Sequence, residues 1–334
     1  MYYIKKMGFQ EAGSPDKNGK LQRGRYILVS KKSEDFFPPL SETELNDTII
    51  LPVVPPNSNQ KVYCSYVFHN DKYHGSLAKS PRNEYRLYIN SDLDPTREYF
   101  NPHDIIVFNK IETEDNVSIY QTISFRPEEN SYKELDNLIS NSELYGGHAL
   151  IRDKISFIDD LALDIEGLET IVPEEVKNVV KKKQEEYAKD SSEDIEETKG
   201  ANLFNSVSFR DFVLLGYQNK CAITSEAIYY DKLINLEAAH IKPKSHSGSF
   251  LPCNGIAMSR DIHWAFDRGM FTINDDYTIT VHDDVKNTLL SKYNNQKINV
   301  PIEDFFKPEK NFLKYHKEKV FGLFKHSGVL RAPQ

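Results

Sequence analysis

Two side chains that can bind a metal ion stand four residues apart in the last third of the sequence. They are His263 and Asp267, within a segment whose apolar residues Ile262 and Phe266 repeat with helical spacing. Residues i and i+4 project from the same face of a helix, so the imidazole and the carboxylate can share one divalent cation. The pattern therefore predicts a helix over residues 260–268 that is anchored by its apolar side and presents two ligands.

A second histidine, His240, ends an apolar stretch at residues 235–241 that has the composition of a strand. Asn254 follows in a loop, just before a second predicted strand at residues 255–258. Hydrolysis of a phosphodiester needs a base, neutralisation of the phosphate charge and a stabilised leaving oxygen. A near-neutral imidazole can act as the base, and a divalent cation can meet the other two needs. Asn254 is suited to hold the loop after His240 through hydrogen bonds, without touching a metal.

Each of these features, taken alone, has a common structural explanation. A single histidine on an apolar strand is usually a satisfied structural residue, and a His–Asp pair at this spacing is often a contact on a helix surface. Asn-Gly at Asn254 is an ordinary turn signal. The functional interpretation rests on the order and spacing of all of them together.

The order and spacing resemble those of the HNH, or ββα-metal, nuclease family, in the branch common among restriction-type endonucleases. The resemblance covers residues 221–271 and rests on four linked motifs: Cys-x-x-Thr from Cys221, Leu-x-Ala-Ala-His-Ile-x-Pro from Leu236, Asn-Gly-Ile from Asn254 and His-x-x-Phe-Asp-x-Gly from His263.

The resemblance implies a role for each matching residue. His240 is the implied general base, Asn254 orders the loop, and His263 and Asp267 are metal ligands in the catalytic centre. One position departs from the family, because many members carry a metal ligand directly before the base, where this chain has Ala239. Glu237 shares the strand face of Ala239 and is the candidate third ligand.

A sparse ligand set favours Mg²⁺, or Mn²⁺, because Mg²⁺ keeps several waters in its shell. Structural zinc is the alternative for Cys221 and Cys253, but the sequence has no Cys-x-x-Cys pair, and zinc is not expected.

The elements around these residues form two regions of different composition. Residues 1–165 contain short runs rich in β-branched and aromatic residues, at 25–30, 61–68, 84–89, 104–108 and 118–125, separated by turn-forming clusters. Residues 166–200 are predicted to be a helix and a charged linker, and residues 201–334 form the nuclease region, which begins with a helix near Phe209. The expected fold class is α+β, with a mostly-β, pseudobarrel-like N-terminal domain and a C-terminal ββα-metal HNH domain.

The N-terminal region loosely resembles the DNA-recognition pseudobarrel found in some restriction enzymes and in plant transcription factors. The resemblance rests on the stretches at residues 80–89 and 101–108. It implies arginines that enter the major groove, where arginine reads guanine in bidentate fashion. The candidate DNA contacts in the whole chain are Arg23, Arg25, Arg82, Arg86, Lys242 and Arg268. The alternative is a β domain whose charges only keep it soluble.

The net charge of −8 by itself points away from nucleic acid. Residues 5–32, however, hold eight Lys or Arg against two acidic residues, which is enough to meet a phosphate backbone locally. Three widely spaced cysteines and no apolar leader favour a cytoplasmic protein without a membrane segment.

Together these observations predict a metal-dependent endonuclease that cuts double-stranded DNA at a specific or modified site, in restriction of foreign DNA. Because one site per chain must cut two strands, a homodimer is expected. Two alternatives stay open: a nicking or structure-specific nuclease, and a DNA-binding effector with a degenerate site.

Overall fold

The computed structural model describes residues 1–13, 25–33, 36–75, 81–112, 118–165, 168–189, 206–230 and 233–325. The chain divides into two compact units, Met1–Asn178 and Val179–Gln334. The division falls inside helix α3 (Glu174–Lys189), within the region that the sequence predicts to be a helical linker.

The described part of the N-terminal unit is built on one nine-stranded sheet. Its strands are β1 (Tyr2–Lys6), β2 (Arg25–Val29), β3 (Thr48–Val54), β4 (Gln60–His69), β5 (Glu84–Ile89), β6 (Ile105–Glu112), β7 (Ser118–Phe125), β8 (His148–Ile151) and β9 (Glu169–Ile171). Eight of them follow the order β2-β5-β4-β3-β7-β6-β1-β8, and β9 pairs with β4. The pairs β3–β7 and β4–β9 are parallel.

One tyrosine links the two ends of this strand order. The Tyr3 hydroxyl, on β1, accepts a hydrogen bond from Ser30 N at 2.9 Å, directly after β2. It also lies 2.6 Å from Nδ1 of His148, on β8. The sheet is therefore curled into a nearly closed, barrel-like form.

Both faces of the sheet are covered, which explains the runs of consecutive apolar residues in strands such as β6. On β6, Ile106 and Phe108 belong to one buried cluster, whereas Ile105 and Val107 belong to another. The second cluster is completed by helices α1 (Tyr132–Ser140) and α2 (Ser156–Asp159). The sequence pattern predicts neither helix, since it indicates only strands in this region.

In its described residues, the C-terminal unit holds three more helices and three short hairpins. They are α4 (Ser206–Gly216), the hairpin β10 (Tyr229–Tyr230) and β11 (Leu233–Ile234), the hairpin β12 (Leu236–His240) and β13 (Gly255–Ser259), helix α5 (Arg260–Asp267), the hairpin β14 (Phe271–Ile273) and β15 (Ile279–Val281), and helix α6 (Lys310–Lys319). The β12–β13 hairpin followed by α5 is the ββα arrangement that the sequence predicts.

Helix α5 ends where its backbone enters the left-handed region. Gly269 has a φ of 67°, and a Cβ at this position would lie 1.9 Å from the carbonyl oxygen of Val320. Glycine is therefore required both by conformation and by the close approach of the chain after α6.

Helix α6 packs on the same region through a buried histidine. The ring of His316 stacks on Phe266 of α5 at 3.8 Å, and its Nε2 donates to the carbonyl oxygen of Phe266 at 3.2 Å. The far C-terminal helix thus holds the apolar side of α5 in place.

The expected α+β class with a mostly-β N-terminal unit is confirmed. The predicted limits at residues 165 and 201 stay a prediction, because residues 190–205 lie outside the described ranges. Within the part of the chain that the structure describes, every helix is too short or too polar to cross a membrane.

Candidate nuclease site

The β12–β13 hairpin brings the separated sequence motifs together. The strands pair antiparallel, with His240 opposite Gly255 and Glu237 opposite Met258. Because α5 begins directly after β13, its first turns lie beside β12, and His263 reaches the strand that carries Glu237.

Asn254 is fully buried and binds the loop that follows His240. Its Oδ1 accepts a hydrogen bond from Lys242 N at 2.8 Å. Its Nδ2 donates to the carbonyl oxygens of Lys242 at 3.1 Å and Ser249 at 2.9 Å. These three bonds all go to backbone atoms, so the amide fixes the conformation of the loop.

His240 lies in an aromatic cage. Its ring stacks on Phe209 of α4 at 4.2 Å and meets the edge of Phe250 at 5.3 Å. Among the described residues, none forms a hydrogen bond with the buried Nε2 of His240. Burial lowers the pKa of His240 to about 4, although Asp267 acts in the opposite direction. The imidazole is therefore neutral at physiological pH, and its Nε2 is buried with no hydrogen-bond partner among the described residues.

His263 lies between two carboxylates. Its Nδ1 is 2.7 Å from Glu237 Oε2, and its Nε2 is 3.3 Å from Asp267 Oδ2. Burial opposes a charge on this ring, but the carboxylates of Asp267 and Glu237 outweigh it and raise the pKa of His263. Arg260 Nε also contacts Glu237, at 3.2 Å from Oε1.

The His263–Asp267 pair has the chemistry and the spacing for a shared cation. Two ligands that each lie about 2.1 Å from one octahedral cation, at a right angle, are about 3.0 Å apart. The observed separation of 3.3 Å is close to this. Glu237 lies at the opposite edge of the imidazole. Ala239 is buried, and its methyl side chain has no atom that could bind a metal ion.

Within the described ranges, no group of three or more His, Cys, Asp or Glu side chains is arranged to hold a metal ion. An ion on His263 and Asp267 would therefore take the rest of its shell from other oxygens, such as those of water or phosphate. Cys221 and Cys253, the candidate zinc ligands, are buried free thiols, and burial raises the pKa of Cys253 to about 12.

The three described arginine candidates of the N-terminal unit each pair with an acidic side chain of that unit. Arg25 is buried, its Nη1 is 2.7 Å from Asp94 Oδ2, and it donates to the carbonyl oxygen of Tyr99, so its guanidinium is bound within the unit in this structure. Arg86 pairs with Glu84 and lies over the Tyr26 ring at 4.0 Å. Arg82 pairs with Asp71 at 2.5 Å but keeps a third of its side chain exposed.

The remaining candidates have different environments. Arg23 lies outside the described residues. Lys242 Nζ lies over the ring of Tyr315 at 5.1 Å, and the guanidinium of Arg268 lies over the ring of Trp264 at 4.3 Å. Both belong to the unit that contains His240 and His263.

The sequence does not predict the aromatic cage around His240. The helical spacing places Phe209 on the core side of its helix, which is correct, but nothing in the pattern indicates contact with the base. Phe250 lies in a loop without periodicity, so only the folded loop reveals its role.

The family comparison agrees with this geometry. Residues 221–274 match the HNH endonuclease family. A comparison with curated proteins finds no match. Among solved structures, the chain is similar to a modification-dependent TagI restriction endonuclease, with 18% identity and a TM-score of 0.28, over 37% of this chain and 41% of that one.

It is also similar to the B3 domain of UbaLAI restriction endonuclease with cognate DNA, with 17% identity and a TM-score of 0.25, over 37% of this chain and 65% of that one. The chain therefore spans less than two thirds of both structures. Because residues 221–274 match this family and have the ββα geometry, we conclude that the C-terminal unit contains an HNH endonuclease domain.

Proposed function

We propose that this protein is a metal-dependent DNA endonuclease of the restriction type, which hydrolyses phosphodiester bonds in double-stranded DNA at a specific or modified site. The observation that carries the proposal is the presence of two features in one ββα unit. They are a neutral His240 whose Nε2 has no hydrogen-bond partner among the described residues, and a His263–Asp267 pair with the spacing for one cation. The two features share one strand, because β12 carries both His240 and Glu237, the partner of His263.

His240 acts as the general base that removes a proton from the attacking water. The low pKa of its imidazole keeps it unprotonated, and the rings of Phe209 and Phe250 fix its orientation. Asn254 holds the loop after His240, so the base is presented from a rigid hairpin.

His263 Nε2 and Asp267 are the residues that would hold Mg²⁺ or Mn²⁺. When bound, the ion would neutralise the scissile phosphate and stabilise the leaving oxygen. Glu237, which the sequence suggests as a third ligand, instead holds Nδ1 of His263. A carboxylate on the far nitrogen of a ligating histidine fixes its tautomer and increases its basicity.

Target selection is assigned to the N-terminal unit, as the pseudobarrel resemblance implies. Of the described arginine candidates in that unit, Arg82 has the most exposed side chain and remains in the proposal. A homodimer would supply a second nuclease site for the second strand. The free cysteines Cys64, Cys221 and Cys253 favour a reducing compartment, the cytoplasm.

The test is cleavage of unmodified and methylated plasmid DNA with Mg²⁺, Mn²⁺ or EDTA, beside the variant His240→Ala. We expect discrete fragments that require the metal and disappear in the variant. The plasmid form that is cut gives the modification preference. Nicked circles alone would favour the nicking alternative. DNA binding without cleavage under every condition would refute catalysis and favour the effector.

A further inference from the structure

Helix α5 exposes a large aromatic side chain next to the metal-binding pair. Trp264, the one tryptophan in the sequence, is 52% exposed, whereas Ile262, Ala265 and Phe266 of the same helix are buried. A tryptophan left in water beside a nuclease site forgoes the burial that usually stabilises it. Its position therefore suits contact with a ligand.

Two arginines flank this indole along the helix. Arg260, Trp264 and Arg268 are spaced four residues apart and follow one side of α5. The guanidinium of Arg268 lies 4.3 Å from the centre of the Trp264 ring, and its Nη1 donates to the Trp264 carbonyl at 3.2 Å. The side chain of Arg260 is 75% exposed, even with its contact to Glu237.

The Arg260 end of this row lies close to the proposed metal ligand His263, because Arg260 and His263 contact the two oxygens of the same carboxylate, Glu237. A cation stacked on an indole keeps its N–H groups free at the edge, where they can bind phosphate oxygens. An exposed indole offers a large apolar face that can pack against the deoxyribose of a backbone, or against a base where one is unstacked, without sequence preference. A positively charged aromatic row at this place therefore fits a nucleic-acid backbone better than an apolar protein partner.

We propose that Arg260, Trp264 and Arg268 form a DNA-contact row that grips the substrate beside the scissile phosphate. Trp264 lies against a sugar or base, and the two guanidinium groups bind neighbouring phosphates. This inference rests on the proposed function, since it assigns a surface to the same DNA substrate.

The lone tryptophan allows a direct test, because all indole fluorescence of the protein comes from Trp264. The probe is an unlabelled plasmid-derived duplex added to the His240→Ala variant with Mg²⁺, so that binding proceeds without cleavage. We expect saturable quenching whose midpoint agrees with an electrophoretic mobility shift on the same duplex. Binding in the shift assay with unchanged emission would overturn the inference but leave the proposed function intact. Absence of binding to any duplex would overturn both.

Substitutions supply the second readout. In the His240→Ala background, Trp264→Ala and Arg268→Ala should each weaken duplex binding about 10-fold, whereas Trp264→Phe should retain most of the affinity. Tyr229→Ala is the matched control, because Tyr229 is an exposed aromatic residue of the same unit outside the row. Equal losses in Trp264→Ala and Tyr229→Ala would contradict a specific contact. Emission that changes with protein concentration alone, and not with DNA, would assign the row to contact between two copies of the chain.

Discussion

His240 and His263 illustrate how the same side chain receives opposite properties from its neighbours. Phe209 and Phe250 exclude water from His240 and keep it neutral, with a pKa of about 4. His263, placed between Glu237 and Asp267, has its pKa raised. The aromatic rings keep His240 unprotonated, which a proton acceptor requires. The two carboxylates orient the ring of His263, which a ligand of a cation requires.

The role of Glu237 can be tested by the isosteric change Glu237→Gln. The amide keeps the shape but removes the charge that holds Nδ1–H of His263, so the affinity for Mn²⁺ should fall about 10-fold to 100-fold. Isothermal titration with Mn²⁺ measures this directly, without reference to cleavage. Asp267→Asn is the comparison, and it should lose more affinity because it removes a ligand. Equal affinities of Glu237→Gln and the unchanged protein would refute the orienting role.

At the scale of elements, the ββα part of the site is predictable because its signals are local. The predicted helix at residues 260–268 and strand at 255–258 each differ by one residue from α5 (Arg260–Asp267) and β13 (Gly255–Ser259). The hydrophobic period, the turn that ends at Asn254 and the glycine after α5 all indicate the same structure.

Several elements of the N-terminal unit escape prediction for identifiable physical reasons. Strand β3 contains Pro52, which normally argues against a strand inside a sheet. Strand β1 ends in lysines, yet Lys5 is buried because it pairs with Glu11 at 3.0 Å. These strands are stable only because of long-range contacts, and a local sequence pattern carries no information about such contacts.

The loop between β12 and β13 depends on Asn254, and its contribution to stability can be measured. Asn254→Ala removes three hydrogen bonds between a buried side chain and the loop backbone, so the free energy of unfolding should fall by about 3 kcal/mol. Urea unfolding followed by circular dichroism gives this value. Asn254→Asp should not restore stability, since two of the three bonds require N–H donors. Full stability in Asn254→Asp would show that the donated bonds contribute nothing.

The whole molecule carries buried histidines in both units, and they link its stability to pH. Burial lowers the pKa of His69 to about 4 and of His148 to about 3 in the N-terminal unit. It lowers the pKa of His240 and His316 to about 4 in the C-terminal unit. In the unfolded chain these groups titrate near 6.5, so between about pH 6.5 and 4 the unfolded state binds more protons than the folded state.

The stability that these four histidines contribute should therefore be fully present above pH 6.5 and fall as the pH drops from 6.5 toward 4. For His316, which is 1% exposed, the loss at the acid end should be about 3 kcal/mol. Urea unfolding at pH 7.5, 5.5 and 4.5 measures the slope, and His316→Gln should flatten it for the C-terminal unit alone. The N-terminal unit provides the internal control, because its own histidines are unchanged. If the acid slope of the C-terminal unit stayed as steep in His316→Gln, the folded protein would have to bind a proton at His316. That result would contradict the neutral ring that its stacking on Phe266 and its bond to a carbonyl oxygen indicate.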